Sequence, residues 1–77
     1  MKFSLKDLPT ILNALKKHEG GRIMLECAFA AAVFTPNPVK SFQSSLAHNG
    51  FIVDGPLSQK LFEITRAAIA AAQKNAK

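Results

Sequence analysis

Three side chains of this chain have the chemistry of metal ligands or nucleophiles: His18, Cys27 and His48. Their spacing fits no zinc pattern, and a fourth ligand would have to be an Asp or Glu placed by chance. Cys27 and a distant histidine would form a thiol dyad. The neighbours of Cys27 are apolar, however, which favours the unreactive thiol and a small buried hydrophobe. We therefore expect no metal, no cofactor, no catalytic residue and no enzyme.

The sequence also lacks the motifs that bind nucleotide phosphates or single-stranded nucleic acid. The segment EGGR, residues 19–22, lacks both the lysine and the spacing of a P-loop. The chain contains no Trp or Tyr, which argues against an aromatic stacking platform for single-stranded nucleic acid.

The segment VKSFQSSLAHNGFIVDG, residues 39–55, carries a polar helical face that has chemistry to offer. Its apolar residues recur at helical spacing, and its polar residues fall on the opposite arc. Lysine, glutamine and serine on such an arc can reach base edges, and Ala47 lets the helix enter a groove deeply. The alternative is a solvated face of an ordinary helix. The predicted nucleic-acid contacts are Asn37, Lys40, Ser41, Gln43, Ser44 and His48.

Phosphate contacts position a protein on nucleic acid without reading its sequence. Four basic residues outside that arc are candidates for this role, although surface solubility is the favoured explanation for each of them. These residues are Lys16, Lys17, Arg22 and Lys60.

Four helices are needed to position these side chains. Apolar periodicity and capping residues predict helices over 8–18, 23–34, 38–49 and 58–75, with 51–53 extended. Gly20 and Gly21 are expected to end the first helix, Asn37 to cap the third, Gly50 to close it in a left-handed conformation, and Ser58 to cap the fourth.

The expected core follows from the same periodicity. The second helix is apolar nearly all round, so we expect it to be central and buried on most sides. The predicted buried residues are Leu12, Leu15, Leu25, Phe29, Phe42, Leu46 and Ile52.

The length and composition of the chain limit the architecture. Its 77 residues predict one helical domain, residues 1–77, and 48% hydrophobic residues exclude disorder. The apolar run 27–34 is far shorter than the roughly 20 residues of a membrane span, so we expect a soluble, cytoplasmic protein without a membrane partner. The net charge of +5 favours duplex DNA or an acidic protein surface as partner.

The third helix and the segment after it resemble the winged helix-turn-helix domains of transcriptional regulators. That pattern has an apolar residue early in the recognition helix, a leucine seven positions on, a glycine four positions later and an apolar pair. The matching residues are Val39, Leu46, Gly50, Phe51 and Ile52. The resemblance covers about residues 8–55 and implies a mainly α fold of four helices with a short strand or rudimentary wing. A plain four-helix bundle is the alternative.

The resemblance implies a small DNA-binding regulator that reads the major groove through helix 38–49. The alternative is a non-enzymatic protein-binding module, such as a small inhibitor or adaptor. The glycine-to-wing pattern favours the first function. The third helix has one lysine and no arginine, which favours the second.

The last predicted helix has an alanine-rich inner stripe with two larger residues, Phe62 and Ile69, at one edge. Alanine-lined helices pack closely, and a small core gains stability from a partner copy. We therefore expect a homodimer in which Phe62 and Ile69 contact the second chain. Docking of this stripe on the chain's own core is the alternative.

Overall fold

The chain folds into four α-helices, and the computed structural model describes residues 2–75, apart from the side chains of Lys16 and Asn75. A 3₁₀ turn over Leu5–Asp7 precedes the helices. The helices are α1 (Leu8–Lys17), α2 (Glu19–Ala32), α3 (Pro38–His48) and α4 (Gly55–Asn75). The prediction of a mainly α chain with four helices is confirmed.

The corner between α1 and α2 differs from the prediction. A single extended residue, His18, separates the two helices, and Gly20 and Gly21 lie in the first turn of α2 instead of ending α1. Gly21 leaves room there for the side chain of Leu15, because a Cβ on it would lie 2.5 Å from Cδ2 of Leu15. Helix α2 thus begins directly after α1, and the predicted break at 19–22 is wrong.

Both ends of α3 follow the prediction. The backbone amide of Lys40 donates to Oδ1 of Asn37 at 3.4 Å, and Pro38 occupies the first turn. At the other end Gly50 has φ of +83°. The amide of Gly50 donates to the carbonyl of Ala47, and the amide of Phe51 donates to that of Leu46, both at 2.9 Å. These two bonds form a Schellman motif, which closes the helix.

The segment after α3 pairs with the N-terminal segment instead of forming a wing. Phe3 and Val53 form an isolated parallel bridge, in which Phe3 donates to the carbonyl of Ile52 and accepts from the amide of Asp54. Within residues 2–75 no β-strand is formed. The alternation places Val53 inward at 1% exposure and Ile52 outward at 45%, so the predicted burial of Ile52 is wrong.

Helix α4 begins earlier than the prediction of residue 58. Oδ1 of Asp54 accepts from the amide of Leu57 at 2.9 Å, so Asp54 caps the helix and Pro56 falls in its first turn. Ser58 is fully buried inside the helix, where its hydroxyl donates to the carbonyl of Gly55. The predicted cap at Ser58 is therefore wrong.

The core lies where α2, α3 and the first half of α4 meet. Phe42, Leu46, Leu57 and Leu61 are fully buried, and the ring of Phe62 packs against two other phenylalanine rings. The remaining buried apolar residues are Ile11, Leu25, Ala28, Phe29, Ala32 and Val53.

The predicted core residues divide between two sides of the molecule. Those of α2 and α3, namely Leu25, Phe29, Phe42 and Leu46, are confirmed as buried. Leu12 and Leu15 of α1 are only half-buried, because α1 packs mainly on α2 and leaves their outer surfaces uncovered.

Candidate interaction surfaces

The outward side of α3 presents part of the polar arc predicted from sequence. Lys40, Ser44, Ala47 and His48 are exposed, and Ser41 is half-buried. Opposite them, Phe42 and Leu46 anchor the helix in the core. The helix therefore holds a short row of small and polar side chains outward.

Two predicted contact residues already form side-chain hydrogen bonds within the chain. The amide nitrogen Nε2 of Gln43 donates to the carbonyl of Val53 at 2.8 Å, and the side chain of Asn37 caps α3. The Gln43 bond ties α3 to the segment that precedes α4. These two polar groups therefore contribute to the fold before any ligand is considered.

The four predicted phosphate-contact residues do not share the outward side of α3. Lys17 and Arg22 line a groove bounded by α1, α2 and α4, and Lys60 is exposed on α4. The side chain of Lys16 lies outside the described part of the structure. Lys17, Arg22 and Lys60 therefore belong to helices other than α3.

The exposure of the outer face of α2 is the largest departure from the prediction, because the sequence predicted burial of this helix on most sides. Ile23 is 50% exposed, Cys27 is exposed, and Phe34, just after the helix, is 91% exposed. With exposed Ala30 and Ala31 they form one apolar stripe, which we call the α2 outer face. Burial on most sides is therefore wrong for α2, and so is the burial expected for Cys27.

The end of the α2 outer face is held by local hydrogen bonds. Both the amide and the hydroxyl of Thr35 donate to the carbonyl of Ala32, at 3.0 and 2.7 Å. These bonds fix the backbone on either side of Phe34. The phenylalanine ring is therefore presented to solvent from an ordered turn.

A shallow groove of about 440 Å³ runs beside the α2 outer face, between α2 and α3. Its α2 wall includes Ile23, Cys27 and Ala31, and its α3 wall is formed by the polar residues Ser45 and Asn49. An apolar side chain from a partner has room to enter it next to the stripe.

The sequence contains a signal for the α2 outer face that the prediction did not use. Leu25, Phe29 and Ala32 form one helical stripe, and Ile23, Cys27 and Phe34 form a second stripe on the opposite side. A chain with four helices has elements enough to cover only one of the two. The second stripe could therefore have been recognised as a surface.

A second and larger groove, of about 580 Å³, lies between α1 and α4 and has α2 as its floor. Its walls are mainly apolar, and its lining also includes charged residues of α1 and α2. We call it the α1–α4 groove; it is lined by Leu12, Leu15, Lys17, Glu19, Arg22, Leu25, Glu26, Ile64, Thr65 and Ala68.

The two residues predicted at a dimer interface have different surroundings. Phe62 is 8% exposed, and the centroid of its ring lies 4.8 Å from that of Phe29 and 5.5 Å from that of Phe42. Phe62 fills the core of its own chain and is not free to contact a second copy of the chain. Ile69 is half-buried and packs against the edge of the core.

The residues with metal or nucleophile chemistry remain dispersed. Among residues 2–75 no cluster of three or more His, Cys, Asp or Glu side chains is placed to hold a metal ion. None of the helices in this described range combines the length and apolarity that crossing a membrane requires.

Comparison with known protein families, characterised proteins and solved structures gives no match to this chain. The function is therefore inferred from the surfaces described above.

Proposed function

We propose that this chain is a non-enzymatic protein-binding module that docks an amphipathic helix of a partner protein on the α2 outer face. The observation that supports this proposal is the 91% exposure of Phe34 at the end of an apolar stripe opposite the core. Exposed apolar stripes of this kind are typical of interaction sites, and aromatic residues dominate their binding energy.

The partner segment is expected to be helical with an apolar face of matching length. From Ile23 to Phe34 the stripe spans about three helical turns, which is long enough for anchors at i, i+3, i+4 and i+7. One anchor of the partner enters the groove beside Ile23 and Ala31, and Phe34 packs against the next turn.

The charge of the surrounding surface favours a partner with acidic residues beside its apolar face. Around the Phe34 end of the stripe, residues 27–53 contain no Asp or Glu, and Lys40 and His48 are exposed on α3. The exposed Glu19 and Glu26 flank the Ile23 end, so the acidic residues of the partner are expected beside Phe34. The chain as a whole carries a net charge of +5, which steers an acidic partner toward it.

Two designed helical peptides test this function. They share one apolar face and carry either acidic or basic flanking residues. Fluorescence anisotropy of the labelled peptides should show tighter binding of the acidic one. Phe34→Asp or Ile23→Asp should weaken that binding at least about tenfold, because each removes an anchor worth more than about 1.4 kcal/mol.

The matched control for the added charge is Asn13→Asp, an exposed position on α1. It should bind the peptide like the wild type. Failure of both peptides to bind, or equal binding by wild type and Phe34→Asp, would exclude the α2 outer face as a helix-docking surface.

Duplex DNA is the second candidate, and the exposed row of Lys40, Ser44 and His48 on α3 supports it. In this case Lys40→Ala should weaken binding to all duplexes and lower the salt slope by about one phosphate contact. Ser44→Ala should reduce discrimination between sites by about 1–3 kcal/mol. A chain that binds no duplex at low salt would remove this candidate.

A further inference from the structure

Helix α4 continues well beyond the core that it helps to build. Thr65 is its last buried residue, and from Arg66 to Lys74 every side chain except Ile69 is exposed. Beyond Ile69, which packs against the edge of the core, residues 70–74 project for about 7.5 Å at 1.5 Å per residue. A short helical segment without tertiary packing is only marginally stable in water. Contact with a partner would therefore stabilise the C-terminal part of α4.

The projecting part of α4 carries an apolar stripe that starts inside the α1–α4 groove. Ile64 and Ala68 line the groove, and Ala71 extends the same face outward. Thr65 also lines the groove and is only 3% exposed, yet its hydroxyl has no hydrogen-bond partner among the described residues. The packing on this side of the molecule is therefore incomplete.

One acidic and one basic residue beside this stripe are spaced so that each can pair with the opposite charge on a second copy of the chain. Glu63 and Lys74 are both exposed and lie about three full turns apart, on the same side of α4. In an antiparallel pair of α4 helices centred near Ala68, residues on this side face the same side of the other helix. Glu63 of each chain then lies opposite Lys74 of the other.

We infer that two copies of this chain pair through antiparallel α4 helices, with Ile64, Ala68 and Ala71 at the seam and two reciprocal Glu63–Lys74 ion pairs beside it. The small alanine side chains let the helices approach closely, and two-fold symmetry makes every contact twice. A second copy satisfies both the apolar stripe and the charge pattern, whereas an unrelated helix would have to reproduce both.

This pairing goes beyond the proposed function and does not depend on it. The α4 seam adjoins the side of α2 that carries Arg22 and Glu26, whereas the docking stripe lies around Cys27 and Phe34. A dimer would therefore present two separate α2 outer faces. Loss of the dimer should leave single-site peptide binding intact.

Charge reversal gives the sharpest test, because both residues of the ion pair are exposed and their replacement does not disturb the core. Sedimentation velocity of the full chain should show a wild-type dimer. Glu63→Lys or Lys74→Glu alone should raise its dissociation constant at least about tenfold by placing like charges together. The double variant Glu63→Lys/Lys74→Glu should restore the affinity to within about threefold, because the pair is re-formed with its signs exchanged.

Two controls accompany the charge reversal. Lys6→Glu changes the net charge as Lys74→Glu does, at an exposed position of the 3₁₀ turn and not on α4 itself, and should leave the dimer unchanged. Circular dichroism should show the same helix content for all variants. A monomeric wild type at high micromolar concentration, or a double variant that stays as weak as the singles, would overturn the inference.

Cross-linking reports the register of the pair directly. In a Cys27→Ser background, Ala68→Cys should form a disulfide-linked dimer with copper phenanthroline, because position 68 lies near the two-fold axis. Gln73→Cys, an exposed position on the opposite side of α4 from the seam, should not. Efficient cross-linking of the wild type through Cys27 would instead indicate that the α2 outer faces meet, which would contradict the α4 pairing.

Discussion

The two sides of α4 differ in how completely they are packed. Toward α3, with which it is in contact, its residues Leu57 and Leu61 are fully buried, as are Phe42 and Leu46 of α3. Toward α1 the same helix borders an open groove, across which Leu15 is only half-buried. The core is therefore lopsided, with a closed side formed with α3 and an open side formed with α1.

This difference separates residues that hold the fold from residues that are free to bind. The closed side contains the aromatic cluster of Phe29, Phe42 and Phe62 together with the hydrogen bond from Gln43 to Val53. The open side contains half-buried leucines and the exposed alanines of α4. A small chain that leaves apolar surface uncovered in this way gains stability from a partner.

The largest contrast between the two sides should come from paired leucine truncations. Leu46→Ala should lower the free energy of unfolding by about 2–5 kcal/mol, because it leaves a cavity in a fully buried site. Leu15→Ala should cost only about 1 kcal/mol, because its side chain already borders solvent. Urea denaturation at low protein concentration measures both. Equal losses would show that the open side is as well packed as the closed one.

The next effect concerns the polar link on the closed side. Gln43→Glu keeps the shape of the side chain but removes the donor, and it leaves the carbonyl of Val53 without this bond in a residue that is 1% exposed. The expected loss is about 1–3 kcal/mol of unfolding free energy. The neighbouring exposed variant Ser44→Ala should stay within about 0.5 kcal/mol of wild type in the same denaturation experiment. If Gln43→Glu left the free energy of unfolding unchanged, the hydrogen bond from Gln43 would not hold α3 to the segment before α4.

The turn that leads from α3 into that segment should also be sensitive. Gly50→Ala should cost about 1–2 kcal/mol, because an alanine at a φ of +83° is strained although the space around it is open. Gly55→Ala, also in open space but without a positive φ, is the matched control and should be close to neutral. Thermal melts of the two variants compare them. A Gly55→Ala loss as large as that of Gly50→Ala would exclude backbone strain as the cause.

The sequence predicted α3 better than its neighbours, for a physical reason. Asn37 and Pro38 mark its start and Gly50 marks its end, and each of these residues has only one plausible role there, which is to begin or to close a helix. At the start of α4, by contrast, Asp54 and Ser58 are both good caps, and only the packing of Leu57 decides between them. Local signals fix an element boundary when no second signal competes with them.

The surfaces were harder to predict than the helices. Apolar residues on both faces of α2 indicated burial on both, but the fold has only enough elements to cover the face of Leu25 and Phe29. The polar arc of α3 was predicted from periodicity alone, which could not show that Gln43 is bonded to Val53. Which face is covered, and which polar group is already paired, depends on tertiary contacts.

The smallest expected effect concerns the open side, at the corner where α1 meets α2. Gly20→Ala should stabilise the chain by about 0.5–1 kcal/mol, because alanine favours a helix and nothing lies within 4 Å of the added Cβ. Gly21→Ala has the same helical advantage, but its Cβ would lie 2.5 Å from Cδ2 of Leu15, so that side chain must rotate into the groove. Its gain should be reduced or reversed.

Leu15 provides the internal check on this difference. In a Leu15→Ala background the obstructing methyl group is gone, so Gly21→Ala should become as favourable as Gly20→Ala, and a double-mutant cycle should measure a coupling of about 0.5–1 kcal/mol between positions 15 and 21. The cycle needs only urea midpoints of the four proteins, provided that the m-values agree. If Gly21→Ala already stabilises the wild type as much as Gly20→Ala does, Leu15 moves freely, and the α1–α2 corner is looser than the close approach at Gly21 implies.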